Sequence, residues 1–226
     1  MSAATTKVVL VGAHGRMGQA VAAAAAKENL TISTKLGRGE ALTEAMADAA
    51  VVIDFSTADM TDEVCRVCAE HGKALVLGTT GQSTAQKGEV AAAAKKIPIV
   101  FAANFSVGVN ALFALSRRAA EWLGKDFDID VIELHHRTKK DAPSGTAKRL
   151  LEILRAVHHG EIEAQAIRAG DIVGEHTVIF SGPGERMELI HRAASREAFA
   201  VGALRAARWV VQQPAGLYSM EDVLGL

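Results

Sequence analysis

Five short apolar runs punctuate the first half of the chain: KVVLV at 7–11, LTISTKL at 30–36, AVVIDF at 50–55, ALVLGTTG from 74, and IPIVFA at 97–102. Between them lie QAVAAAAAKEN, GEALTEAMADA, MTDEVCRVCAEHG and TAQKGEVAAAAKK, which are alanine-rich or carry apolar residues at helical spacing. Continuous β-branched runs suit strands buried on both faces. Strands alternating with helices are accommodated by one parallel sheet with helices on both sides, which binds ligands at the carboxyl ends of its strands. A doubly wound parallel sheet is therefore expected for this half.

The first strand runs into GAHGRMG, which sets Gly12, Gly15 and Gly18 between a strand and a helix. The spacing is G-x-x-G-x-x-G rather than the commoner G-x-G-x-x-G. Glycines there let the backbone approach a pyrophosphate, and the helix start favours the anion. No Gly-Lys-Ser/Thr follows, so this is not a phosphate loop of the Walker type. The reading is a Rossmann-like dinucleotide turn. The acid that ordinarily meets the ribose at the end of the second strand is absent: the sequence there is KLGRG, offering Lys35 and Arg38, with Arg16 nearby. That argues for tolerance of a 2′-phosphate, with NADPH used at least as well as NADH.

After Asn104 the rhythm changes. SVGVNALFALSRRAAEWLG reads as a long helix, DIDVIEL at 128–134 as a strand, and GTAKRLLEILRAV as an amphipathic helix with Ala147, Leu150, Leu151 and Leu154 on one face. HTVIF and RMELIHRAA read as a hairpin around Gly182-Pro183-Gly184, and REAFAVGALRAARWVVQQ as a closing helix. This predicts a dinucleotide-binding domain at 1–105, onto which 196–226 packs back. A second α+β domain with a mixed sheet is expected at 106–195. With 226 residues, a net charge of -1 and 49% apolar residues, the chain can bury a core and shows no bias toward nucleic acid or membranes. The start shows no secretory pattern and no run spans a bilayer, so a cytoplasmic protein is expected.

The densest chemistry is ELHHRTKKDAPSGTAK at 133–148. Adjacent cations repel by a few kcal/mol at ~4 Å and an effective dielectric of ~20. His135 and His136 leave a strand end with side chains pointing apart. Pro143 suits a first helical turn, and Ser144 or Asp141 suits a cap. The Gly145 and Thr146 amides then face outward at a positive helix end, ringed by Arg137, Lys139 and Lys140, as a carboxylate or phosphate site requires. A histidine among cations is biased toward its neutral form, which allows proton exchange near neutral pH.

This stretch resembles the signature of the dihydrodipicolinate (4-hydroxy-tetrahydrodipicolinate) reductases, Glu-x-His-His-x-x-Lys-x-Asp-Ala-Pro-Ser-Gly-Thr-Ala. The resemblance extends over nearly the whole chain through GAHGRMG, VIDFS, LGTTG, VFAANFSVGVN and RAGDIVGEHTVIF. It implies hydride transfer from NADPH or NADH to a cyclic imine dicarboxylate, with proton uptake and loss of water, in diaminopimelate and lysine synthesis. It also implies roles: His135 in acid–base chemistry, Lys139 as proton donor, and His136, Gly145 and Thr146 on the substrate carboxylates, with Arg196 reaching the substrate. Gly12, Ala13, His14, Gly15, Arg16 and Met17, then Gly78, Thr79 and Thr80, then Ala102, Ala103, Asn104 and Phe105 would line the cofactor, with Arg38 beside them. A homotetramer through the second domain's sheet is implied as well. Three departures stand out: a short segment before AVVIDF, a short stretch from His158 to Arg168, and Gly37 in place of the cofactor acid.

Other features read as structural. Cys65 and Cys68 lie on a buried helix face without a second ligand pair, so packing rather than metal is expected. His158 and His159 read as a surface linker. Trp122 and Trp209 read as core or interface anchors. Tyr218 has no lysine four residues on, which argues against a Tyr-Lys short-chain dehydrogenase. The rival functions are a related reductase of another small dicarboxylate and a regulator that binds NADPH without turnover.

Overall fold

The computed structural model describes residues 5–37 and 39–226. The expectation for Arg38 lies outside the described residues. The chain divides into two compact units. One takes the residues through Ser106 together with Glu197–Gly225, and the other is Val107–Arg196.

The first unit is built on β1 (Thr6–Val11), β2 (Leu30–Leu36), β3 (Val51–Asp54), β4 (Ala74–Leu77) and β5 (Pro98–Phe101). Between them lie α1 (Arg16–Ala24), α2 (Thr61–Glu70) and α3 (Thr84–Ala94). The second unit holds α4 (Val107–Leu123), β6 (Asp128–His135), α5 (Gly145–Arg155), β7 (Ala164–Arg168), β8 (Gly174–Gly182) and β9 (Glu185–Ala193). The chain then returns to the first unit with α6 (Glu197–Val210), β10 (Gly216–Tyr218) and α7 (Met220–Leu224).

The six strands of the first unit pair in parallel, in the order β10-β5-β4-β3-β1-β2. The strand order reverses between β1 and β3, the switch point where doubly wound sheets bind ligands. Period-2 alternation sorts the side chains. Val8, Leu10, Ile53, Val76 and Val100 face a core completed by α1 and α6. Val9, Val11, Val52, Leu75 and Ile99 face a second core with Val64, Val67 and Cys68 of α2 and Val90 of α3.

In the second unit the sheet order is β7-β6-β8-β9, with β6 parallel to β7 and antiparallel to β8. One face carries Ile129, Val131, Val178 and Phe180 against Val109 and Phe113 of α4 and Leu150 and Leu154 of α5. The other carries half-buried Ile132, Leu134 and Ile179 with exposed Ile167 and Ile190.

The mixed α/β expectation stands, with corrections in detail. GEALTEAMADA forms only one tight turn of 3-10 helix, Thr43–Met46. It serves to bury Leu42 and Met46, one helical turn apart. Strands β7 and β10 were not anticipated. His158 is buried rather than part of a surface linker, and a Cβ on Gly160 would come within 2.6 Å of its Nε2. Trp122 is 77% exposed, with Arg118 stacked 5.8 Å from its ring, so it is no core anchor of this chain. Trp209 does pack, edge-on to Tyr218 at 5.0 Å. Cys65 and Cys68 are buried thiols, and burial raises both, Cys65 to about 12. Among the described residues no cluster could hold a metal ion, and no helix is long and apolar enough to cross a membrane.

Candidate active site

In the first unit, Gly12 follows β1 with φ +75°. A side chain there would be strained, and its Cβ would sit 2.4 Å from the Phe55 carbonyl oxygen. Gly18 lies in α1, where a Cβ would meet the Gly12 oxygen at 2.2 Å. The turn is thus pressed between β3 and its own helix. The Gly12 and Ala13 amides donate to the Leu36 oxygen at 2.9 and 3.0 Å, and the Gly15 amide donates to Gly12. Gly15 is the N-cap of α1 and offers no side-chain cap, so the Arg16 and Met17 amides head the helix, where amides lack an intrahelical partner.

A cleft of about 490 Å³ opens over this turn. Gly12, His14, Gly15 and Gly37 line it together with Phe55, Ser56, Thr57, Asp59 and Met60. The volume suits a small-molecule site. The strand ends, the unencumbered turn and the open helix head fit a dinucleotide.

The remaining cofactor candidates shape this region. Gly78 leaves space for the Phe55 ring, which a Cβ would strike at 2.2 Å. Thr79 is buried, and its hydroxyl donates to Asp54 at 2.7 Å. Burial pushes the Asp54 carboxyl up, against the hydrogen bonds from Ser56 and Thr79. Thr80 is exposed. After β5, Ala102 packs on the core and Ala103 is exposed. Asn104 Oδ1 accepts from the Ser106 amide at 2.9 Å. Phe105 is buried edge-on to Phe55 at 5.7 Å.

One expectation is corrected here. A carboxylate does reach the end of β2: Glu40 folds back, and its Oε2 accepts from the Gly37 amide at 2.7 Å. KLGRG itself carries no acid; the acid is the next residue, which returns to the strand end by a turn.

In the second unit, the buried face of β6 reads Ile129, Val131, Glu133, His135. Glu133 is fully buried and is bound on every side. Arg168 Nη1 donates to its Oε2 at 3.0 Å and Nη2 to its Oε1 at 2.7 Å. The Ser144 amide donates to Oε1 at 3.1 Å, and His135 Nδ1 donates to Oε2. Burial alone would raise the Glu133 carboxyl, but these donors hold it below the usual range. Burial lowers His135, helped by the charges of Lys139 and Arg168 and opposed by Glu133, so His135 is neutral near pH 7. With Nδ1 committed to Glu133, Nε2 is the nitrogen left for proton exchange.

Ser144 caps α5, its hydroxyl accepting from the Ala147 amide at 3.2 Å. The same oxygen shares a hydrogen bond with His176 Nε2 at 3.1 Å. Burial presses His176 down to about 4, and its ring stands edge-on to His135 at 5.2 Å. Glu133 and His176 therefore pin the start of α5 from beneath. Gly145 and Thr146 form its first turn, where amides point outward. Pro143 precedes the cap rather than entering the helix. Asp141 is no cap: its side chain pairs with Lys139 at 2.8 Å, and its carbonyl accepts from Arg168 at 2.6 Å. His136 points away from His135 to the Thr138 hydroxyl at 2.8 Å. Arg196, half-buried, ends this unit.

The second-unit structure thus gathers His135, Lys139, His136 and the head of α5 around one turn. It adds Glu133, Arg168, Ser144 and His176 as the supports beneath them. Two acid–base residues on the apolar face of a strand were the available signal for Glu133. Nothing local marks Arg168 or His176.

The chain is similar to known proteins along nearly its whole length. A family model described as dihydrodipicolinate reductase, N-terminus, matches residues 6–105, and one described as its C-terminus matches 108–224. The 4-hydroxy-tetrahydrodipicolinate reductase of Anaeromyxobacter sp. (strain Fw109-5) is 46% identical over 261 aligned positions, covering 97% of each chain. That of Akkermansia muciniphila is 46% identical, covering 97% of this chain and 98% of its own. The solved dipicolinate-bound dihydrodipicolinate reductase from Paenisporosarcina sp. TG-14 shares the fold with a TM-score of 0.81 at 21% identity, covering 95% of this chain and 97% of its own. With both halves matched in order and close relatives aligned end to end, the chain belongs to the dihydrodipicolinate reductase family.

Proposed function

We propose that this chain reduces 4-hydroxy-tetrahydrodipicolinate to tetrahydrodipicolinate with NADH or NADPH, in the route to diaminopimelate and lysine. Overall the substrate loses its hydroxyl as water and gains one hydride and one proton. A bound reduced nicotinamide supplies the hydride. The first unit holds the dinucleotide by the turn from Gly12 to Met17, with the Arg16 and Met17 amides toward phosphate. The observation that carries the reading is Glu133, one buried carboxylate that anchors both His135 and the head of α5.

The head of α5, with Gly145 and Thr146, and His136 take the substrate carboxylates, and Arg196 joins them. Lys139 delivers the proton, its ammonium held by Asp141, and His135 exchanges protons through Nε2. We further infer a cytoplasmic homotetramer assembled on the sheet of the second unit. The exposed Ile167 and Ile190 beside Ile132 and Leu134 support that reading, since apolar side chains clustered on one sheet face call for cover.

The test is oxidation of reduced nicotinamide, followed by its absorbance, with dihydrodipicolinate supplied by the synthase that makes it. Turnover of this substrate above other small cyclic dicarboxylates is expected. Nucleotide binding without turnover would leave a sensor instead.

A further inference from the structure

The end of β2 is where a dinucleotide fold meets the adenosine ribose, ordinarily with an acidic side chain on its hydroxyls. Position 37 has no side chain to offer. The His14 ring fills its place, with Cδ2 only 2.6 Å from where a Cβ would lie. Glu40 instead reaches back over three residues and docks on the Gly37 amide at 2.7 Å. That leaves its other oxygen, Oε1, beside a residue that lines the nucleotide cleft. The hydrogen bond donated by the Gly37 N–H holds the carboxylate in place.

We propose that Glu40 is the specificity-determining acid of the nucleotide site: it accepts from the ribose hydroxyls of NADH and repels a 2′-phosphate. A carboxylate is an acceptor only, so it rewards the 2′-hydroxyl donor and opposes an anion at the same point. Lys35, exposed on the same strand end, offers that phosphate only a solvated charge. This inference rests on the reductase reading and reverses the preference that the sequence suggests: the chain binds NADH at least as tightly as NADPH.

Direct titration of the whole protein with NADH and with NADPH, followed by nicotinamide fluorescence or calorimetry without substrate, tests it. Glu40→Gln keeps the shape and removes the charge. Its ratio of NADPH to NADH affinity should move toward NADPH by about tenfold, the range of one charge-assisted hydrogen bond. Glu40→Asp, which keeps the charge, should hold the ratio closer to that of the parent than Glu40→Gln does. If Glu40→Gln binds both nucleotides with a ratio within about twofold of the parent, the inference falls and the reductase reading survives. If the parent protein binds neither nucleotide, both fall together.

Discussion

Arg168 grips Glu133 with both terminal nitrogens of its guanidinium, at 3.0 and 2.7 Å, although 35 residues separate them. The pair sits at the carboxyl ends of two parallel strands, β6 and β7, where His135 lies opposite Arg168. Removing the cation leaves a buried carboxylate uncompensated, which costs about 3–5 kcal/mol. Arg168→Met should lower stability by that order, read as a reduced urea midpoint. Adding Glu133→Gln should recover much of the loss. A single variant as stable as the parent would show the pair to be idle.

His176 makes stability depend on pH. Its folded pKa of about 4 lies below the ordinary 6.5. Between those values the unfolded chain holds a proton that the folded chain lacks. Stability from this group is therefore full above about pH 6.5 and declines on acidification, by up to ~1.4 kcal/mol per pH unit. His135, lowered in the same direction, adds to the slope. Denaturation profiles at several pH values should show it, and His176→Gln should flatten it by about one proton.

Lys139 is tested by separating chemistry from binding. Lys139→Ala should lower kcat by about 10²–10⁴ while the affinity for reduced nicotinamide is kept. Asp141→Asn should have a milder effect, because it frees the ammonium without removing it. A near-normal kcat in Lys139→Ala would move the proton donor elsewhere.

Ser144 links the cap of α5 to His176. Ser144→Ala should cost about 1 kcal/mol from the lost cap. It should also raise KM more than it lowers kcat, since the head of α5 is assigned to the substrate's carboxylates. Thermal unfolding and steady-state kinetics check the two parts separately.

Gly12→Ala should abolish nucleotide binding before it abolishes folding. The positive φ costs about 1–2 kcal/mol, and the new methyl meets the Phe55 carbonyl in the wall of the cleft. Nucleotide titration beside a melting curve distinguishes this from general unfolding.

The sheet of the first unit was legible because strands buried on both faces read as unbroken apolar runs and the glycine turn marks one of their ends. The turn at 133–148 was legible as chemistry, since cations and a cap crowd a few positions. Its supports were hidden for a physical reason. Arg168 reaches Glu133 only through the β6–β7 register, and His176 reaches Ser144 only through the β6–β8 register, and neither register is written locally. Strand β10 has three residues, too few to show a period. Glu40 was missed because the expected acid belongs to the strand end itself, whereas this one arrives by a turn.

The return of α6 to the first unit constrains the order of events during synthesis. Ala200, Ala203, Leu204, Ala207 and Val210 complete one of the two layers over the parallel sheet. Gly202 lies so close to Phe105 that a Cβ would fall 1.7 Å from its carbonyl oxygen. A chain made only as far as Ser106 therefore has a sheet with one face covered by α1 but not by α6. The second unit, continuous in sequence, can condense as it emerges. The nucleotide-binding half must wait, partly open, until α6 has been made.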